Sequence, residues 1–417
     1  IAMSIYKKPL LLSPVGSFES LHAAIRGGAD AIYFGVEQLN MRTKSIPTIT
    51  IEDIAEVARI CKQHHIKAYL TLNTVVFDYD MQLARKIISE CKNQGIDAVI
   101  ASDFAVFEMC KSLGMPLHIS TQANVSNIES VAFFAQMADV VVLARELTLK
   151  QVAHITADIK RRDLRGISGE LMKIETFVHG ALCMAVSGKC YLSLHEKNAS
   201  ANRGACVQNC RRPYQVTDLE TGNELLIDNE YIMSPKDLCT IAFVDELMES
   251  GIDVFKIEGR SKSAEYVYAT TKCYRQAIDA VLDGSYNEEK INHWLQELDK
   301  VYNRGFWEGY FMGRKLGEWT KNPGSIATEK KIYLAKATKY YPNINVAEFL
   351  VETGTIRAGE NLMVIGRNTG SDKIVLDELI VNGVKQAEAN KGDKITFPFP
   401  KPLKSNDKLY KIVAENG

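Results

Sequence analysis

Two rhythms of apolar and polar positions divide the chain. Residues 9–13 (PLLLS) form a short apolar run ending in a small residue. A helical pattern runs from Ser17 to Arg26 and stops at Gly27 and Gly28. Asp30-Ala-Ile-Tyr-Phe-Gly35 then reads as a buried strand. Strand, helix and strand within about 30 residues match one βαβ unit. The pattern recurs. Helices are predicted over Ile51–His64, Asp80–Gln94, Phe104–Leu113, Asn127–Met137, Thr148–Arg161, Leu238–Glu249 and Tyr266–Leu282. Strands are predicted over Ile66–Asn73, Ile96–Ala101, Leu117–Ser120, Val140–Ala144, Lys173–Val178 and Gly251–Ile257. Roughly eight strands separated by helices predict an α/β fold, an N-terminal (β/α)8 TIM-like barrel over 3–285. A doubly wound open sheet is the alternative. No G-x-G-x-x-G follows the first strand, which weighs against a dinucleotide site.

Beyond a helix at Glu288–Tyr302 and an aromatic, glycine-rich link (NRGFWEGYFMG) within 286–329, the period shortens. Ile332–Thr338, Ile344–Val351, Asn361–Ile365, Ile374–Val381, Lys394–Phe397 and Lys408–Val413 read as strands between glycine-bearing turns. They predict a small all-β barrel over 330–417. The aromatics of the link are expected to pack between domains rather than stack on bases. The run TGTIRAGENLMVIG resembles the β-barrel second domain of translation elongation factors, which implies an RNA partner.

Charge adds limits rather than a direction. The 417 residues carry 50 Lys plus Arg against 51 Asp plus Glu, so any nucleic-acid contact needs a local basic patch. No apolar run reaches about 18 residues, so no membrane span is expected. Ile1 and Ala2 precede Met3, the expected native start, with no signal peptide. Nine cysteines without a small secreted-domain pattern fit a reduced cytoplasm.

The chemistry concentrates between Glu175 and Tyr214, in a cysteine-rich loop over 179–214. Cys183, Cys190, Cys206 and Cys210 fall there, separated by six, fifteen and three residues. Gly188, Asn198, Ser200, Asn202 and Gly204 lie between them and suit a loop wrapped around a ligand. Thiolates so placed point to a metal or iron–sulfur site. Zinc competes, although only Cys206 and Cys210 approach its usual close ligand pairing. Buried structural thiols are the bland alternative.

In a barrel, active residues sit at the C-terminal strand ends. Those ends carry Ser13, Gly35, Asn73, Ser102 with Asp103, Ser120 with Gln122, Arg145 with Glu146, His179, and Glu258 with Arg260. Ser17, Asp103 and Thr148 also suit helix capping. Alternation points Lys256 and Glu258 to one side. Glu258 and Arg260 are either an ion pair or substrate anchors. Arg203, Arg211 and Arg212 flank the cysteines and favour an anionic substrate.

Glu175, Phe177, Gly180-Ala-Leu-Cys183, Gly188, Cys190, Leu192 and Ser193 resemble the signature of the U32-type, collagenase-like peptidase family. Ala29-Asp30-Ala31, Arg203-Gly-Ala-Cys206, Cys210-Arg211, Met233-Ser-Pro-Lys-Asp-Leu238 and Lys256-Ile-Glu-Gly-Arg260 are similar too. The resemblance is strongest to a tRNA-hydroxylating branch. It implies 5-hydroxyuridine formation at the wobble position, dependent on prephenate, by an enzyme with a 4Fe–4S cluster that zinc can replace in air. By that resemblance Cys183, Cys190, Cys206 and Cys210 are the ligands, with Cys239 as an alternative fourth. Glu258, Arg260 and His179 are the expected catalytic residues; Gln122, Arg145, Lys256, Arg203 and Arg211 are expected to bind substrate. Cys61, Cys91, Cys110 and Cys273 lie on helix patterns and are expected in the core. The family name implies proteolysis instead. No H-E-x-x-H or G-x-S-x-G is present, which leaves a cysteine paired with His179 or His195, or an undetected metal, as the peptidase route.

Overall fold

The apolar run at the start forms β1 (Leu10–Val15), and Ser17 caps α1 (Phe18–Arg26) by accepting from the Ser20 amide. In this computed structural model the described residues are 6–39, 49–197, 201–204, 206, 208–212, 234–313, 318–320 and 324–415. Met3, Asn198, Ser200, Tyr214 and Met233 lie outside them. The chain continues through β2 (Ala31–Phe34), α2 (Ile54–Gln63), β3 (Lys67–Leu72), α3 (Met81–Gln94), β4 (Ala98–Ala101) and α4 (Phe104–Leu113). Next come β5 (Leu117–Ile119), α5 (Ile128–Phe134), β6 (Val140–Val142), α6 (Leu149–Arg161) and β7 (Lys173–Gly180). Asp103 and Thr148 cap α4 and α6. After α7 (Tyr191–Lys197) and β8 (Asp237–Cys239) follow α8 (Val244–Glu249), β9 (Val254–Ile257), α9 (Ala264–Asp283) and α10 (Glu288–Asp299).

Strands β1 to β7 pair in sequence order, all parallel, and β9 closes the ring by pairing with both β7 and β1. This is a closed eight-stranded parallel barrel with helices outside. Alternation divides each strand. Leu12, Ala31, Tyr33, Tyr69, Ala98, Ile100 and Val254 fill the interior, while Leu11, Ile32, Phe34 and Leu70 pack under the helices.

One prediction fails between 238 and 249. Leu238 lies in β8, and the helix begins only at Val244. β8 runs antiparallel to the end of β7, with His179 opposite Cys239 and Gly180 opposite Leu238. β10 (Phe306–Trp307) then adds to β8 from the aromatic link.

The C-terminal region is antiparallel. Its strands are β11 (Glu329–Tyr341), β12 (Val346–Val351), β13 (Thr355–Arg357), β14 (Asn361–Gly366), β15 (Gly370–Val375), β16 (Leu379–Val381), β17 (Val384–Gln386), β18 (Glu388–Asn390), β19 (Lys394–Pro398) and β20 (Lys408–Ala414). The expected single strand Ile374–Val381 is two, broken after Val375. One sheet runs β15-β14-β20-β11-β12-β19-β16-β17, and β13 pairs with β18. Its own core centres on Phe349, Phe397 and Phe399. β15 lies against the barrel's α1: Arg26 donates to the carbonyls of Thr369 and Ser371 at 2.9 Å and pairs with Asp372.

Candidate functional site

Where the barrel strands end, their inward positions change from apolar to polar. The cavity there is lined by Tyr33 from β2, Thr71 and Asn73 at the end of β3, and Ser120, Thr121 and Gln122 after β5. Arg145 follows β6, Phe177 comes from β7, and Lys256, Glu258 and Arg260 from the end of β9. The cysteine loop closes one side with Leu182, Cys183, Ser187, Gly188, Cys206, Cys210 and Arg211. No residue of the C-terminal sheets lines it.

The floor is a buried ion pair. Lys256 Nζ donates to Glu175 Oε1 at 2.6 Å. The ammonium also lies 4.5 Å from the Tyr33 ring centroid and 5.3 Å from that of Phe177. Burial lowers the Lys256 pKa, and Glu175 opposes the shift. The second carboxylate oxygen of Glu175 has no partner.

Above the floor the walls are basic. Arg145, Arg211, Arg260 and Arg304 join Lys256 of the floor in lining the cavity, against the carboxylate of Glu258. Arg145 stacks 3.8 Å from the Phe177 ring centroid and donates to the Ala181 carbonyl at 2.8 Å, but its Nε is buried without a partner. Gln122 Oε1 is likewise buried and unpartnered. Arg260 donates to Thr71 Oγ1. Tyr33 donates to the Ile257 carbonyl at 2.8 Å and reaches Glu258 Oε2 at 3.3 Å; burial, then Glu258, raises its pKa well above the ordinary value. Such a field favours a small anion with several acceptor atoms.

The cysteines separate into two groups. Cys183 is exposed, and Cys190, Cys206 and Cys210 are half-buried. Cys61, Cys91, Cys110, Cys239 and Cys273 are buried. Cys183, Cys206 and Cys210 line the cavity together, and Cys190 lies on the same loop at the start of α7. Partial burial raises the Cys183 and Cys210 pKa values, while Arg145 near the first and Arg211 near the second pull them back. Cys239 is elsewhere. It accepts from the Tyr274 hydroxyl at 3.9 Å inside the core, and burial pushes its thiol up to about 12. Among the described residues no three His, Cys, Asp or Glu side chains converge on a point that a single metal ion would fill.

Three expected site residues lie outside the cavity: Cys190, on the outer side of the loop beside Met184 and Tyr191, His179 and Arg203. His179 is buried against Tyr266, Tyr274 and Phe306, with ring centroids at 6.1, 5.5 and 5.6 Å, and burial lowers its pKa to about 3. The cause is a bulge in β7. Phe177 pairs with Lys256 but His179 pairs with Ile257, so the extra residue Val178 turns His179 outward. Arg203 is bound elsewhere: it donates to Asp80 at 2.6 Å, to the Val75 carbonyl at 2.7 Å and to Tyr79 Oη at 3.0 Å. Arg211 does line the cavity, yet it donates to the carbonyls of Leu182 and Pro235 at 2.6 and 2.8 Å. It anchors the loop. His195 is exposed on α7 and does not line the cavity.

Sequence reasoning missed Tyr33 and Arg304 as wall residues. Tyr33 had a signal, since it shares strand parity with inward Ala31. Arg304 had none. It reaches the wall because β10 pairs with β8, and it donates to Asp237 at 3.3 Å.

Comparison with known proteins fits this architecture. Residues 16–321 match the model of peptidase family U32. A collagenase of Porphyromonas gingivalis is 49% identical over 96% of this chain and 97% of its own. The tRNA hydroxylation protein P1 of Bacillus subtilis is 34% identical over 74% of this chain and 72% of its own. The 23S rRNA 5-hydroxycytidine C2501 synthase of Escherichia coli is 32% identical over 74% of this chain and 46% of its own. The barrel, with its thiol-bearing loop over the strand ends, belongs to a chain of peptidase family U32.

Proposed function

We propose that this protein is an RNA-modifying enzyme of the hydroxylating kind, forming 5-hydroxyuridine at the tRNA wobble position. The carrying observation is that three of four clustered, solvent-reachable thiols open on the same cavity as the unpartnered Arg145 Nε and Gln122 Oε1. Relatives named for tRNA hydroxylation and rRNA 5-hydroxycytidine synthesis support the reading. Cys183, Cys190, Cys206 and Cys210 would hold a 4Fe–4S cluster. The donor chemistry suits it: three thiols line one cavity and a fourth lies on the same loop, the soft ligands such a cluster takes. Such a cluster supplies electron transfer when bound.

The chain's own residues supply the rest. Arg145, Lys256 and Arg260 would orient a small carboxylate such as prephenate. Glu258, beside the Tyr33 hydroxyl, would hold or pass a proton at its carboxylate. The test is iron and acid-labile sulfide content of protein purified without oxygen, together with tRNA nucleosides from a strain lacking the gene. About four of each per chain, with the wobble hydroxyl lost, support the reading. Iron-free protein and unchanged tRNA overturn it.

The 49% identity to a protein named collagenase favours a second reading, a peptidase. A cysteine nucleophile needs a histidine base within reach. Neither His179 nor His195 lines the cavity with the thiols. Cleavage of denatured collagen by iron-free protein, lost on Cys183→Ser, would establish that reading.

A further inference from the structure

Beside the cavity stands a lip of exposed aromatic rings that the chemistry above leaves unused. The segment after β3 passes from cavity-lining Asn73 to Phe77 and Tyr79, which are 46% and 74% exposed. Phe104, at the first position of α4, is 67% exposed. Hydrogen bonds tie the segment that carries the first two rings to its neighbours. The Val75 amide donates to the Asn202 carbonyl at 3.0 Å, tying the segment to the cysteine loop. The Val76 amide donates to Asp103 at 3.0 Å, tying it to the start of α4. Arg203 lies 4.1 Å from the Phe77 ring centroid and donates to Tyr79 Oη, so the guanidinium backs both rings.

Exposed rings on a hydrogen-bonded base, beside a cavity whose five cations still outnumber the carboxylates once Lys256 is paired with Glu175 and Arg304 with Asp237, select a ligand that is flat, aromatic and anionic at once. Unpaired RNA is that ligand: bases offer π-faces to aromatic and guanidinium groups, and phosphates answer the positive field. A cavity sunk between strand ends also admits a base only when it has left its helix.

We propose that Phe77, Tyr79 and Phe104 form a stacking platform for the unpaired bases flanking the target nucleotide. The inference rests on the RNA-modifying reading. The platform would read single-strandedness rather than sequence, because every base has a stacking face.

The experiment measures fluorescence anisotropy of a labelled RNA hairpin with an unpaired loop, against a fully paired RNA duplex and a denatured-collagen peptide. The proteins are wild type, Phe77→Ala, Tyr79→Ala, Phe104→Ala and Phe77→Trp. Each alanine variant is expected to bind the hairpin about tenfold more weakly, with melting temperature and iron content unchanged. Phe77→Trp keeps wild-type binding. Hairpin binding by wild type that the alanine variants retain overturns the platform and leaves the RNA reading standing. Wild type that binds duplex as tightly as hairpin also overturns the platform. Wild type that ignores both RNAs, or prefers the peptide, overturns both.

Discussion

Lys256 and Glu175 meet at 2.6 Å on adjacent barrel strands, with their side chains 5% and 0% exposed. Neither charge has water to fall back on, so each depends on the other. Removing one partner of a buried pair costs about 3–5 kcal/mol, whereas replacing both with apolar groups is often neutral. Glu175→Gln should therefore lower unfolding free energy by about that amount. Glu175→Leu combined with Lys256→Met should recover most of it. Denaturant melts of the single and double variants check this. A Glu175→Gln cost below about 1 kcal/mol would show that the pair does not hold the barrel.

Stability should depend on pH through two buried histidines. Burial lowers both His118 and His179 to about 3, from an ordinary value of 6.5. Between those values the unfolded chain binds more protons than the fold, so stability rises with pH across the window. It is fully present above 6.5 and is lost as pH falls toward 3. His179→Phe should flatten this slope in melting temperatures taken from pH 7 down to pH 4, about the lower working limit. An unchanged slope in the variant would assign the acid sensitivity elsewhere.

The cysteines should divide cleanly under substitution. Cys206→Ser should lose iron and sulfide, while Cys273→Ser should retain both. Cys239→Ser should also keep its iron and change stability alone, since its thiol sits inside the core beside Tyr274. Metal analysis of the three variants decides it, and iron loss in Cys239→Ser would return that residue to the ligand set.

Gly180→Ala tests the joint between the loop and the wall that carries Glu258. Gly180 has φ +104°, and an added Cβ would lie 2.6 Å from the Glu258 carbonyl and 3.0 Å from the Tyr266 hydroxyl. Backbone strain of this kind costs about 1–3 kcal/mol. The variant should lose stability by that amount and lose activity further, through displacement of Glu258. Activity equal to wild type in a folded variant would remove Glu258 from the reaction.

The barrel strands were legible because burial on both faces leaves short apolar runs such as AIYF and AVIA with no competing pattern. β8 was not: Leu238 and the residues after it carry a helical period, and only pairing with β7 makes Asp237–Cys239 extended. The gathering of Cys183, Cys206 and Cys210 at the cavity was legible from density alone. Arg203 and His179 were misread for different reasons. The partners of Arg203 come from a segment over a hundred positions earlier, which spacing does not reveal. The orientation of His179 depends on one extra residue in a strand, and alternation assumes there is none.

The pairing of Gly180 with Leu238 brings the two ends of the thiol-bearing excursion side by side. The barrel thus sees a fixed doorway, and beyond it, among the described residues, the excursion is fastened back through Asn202 to Val75, Arg203 to Asp80 and Ala181 to Arg145. An insert rewritten between those ends keeps the doorway but must remake these fastenings to stay seated over the strand ends.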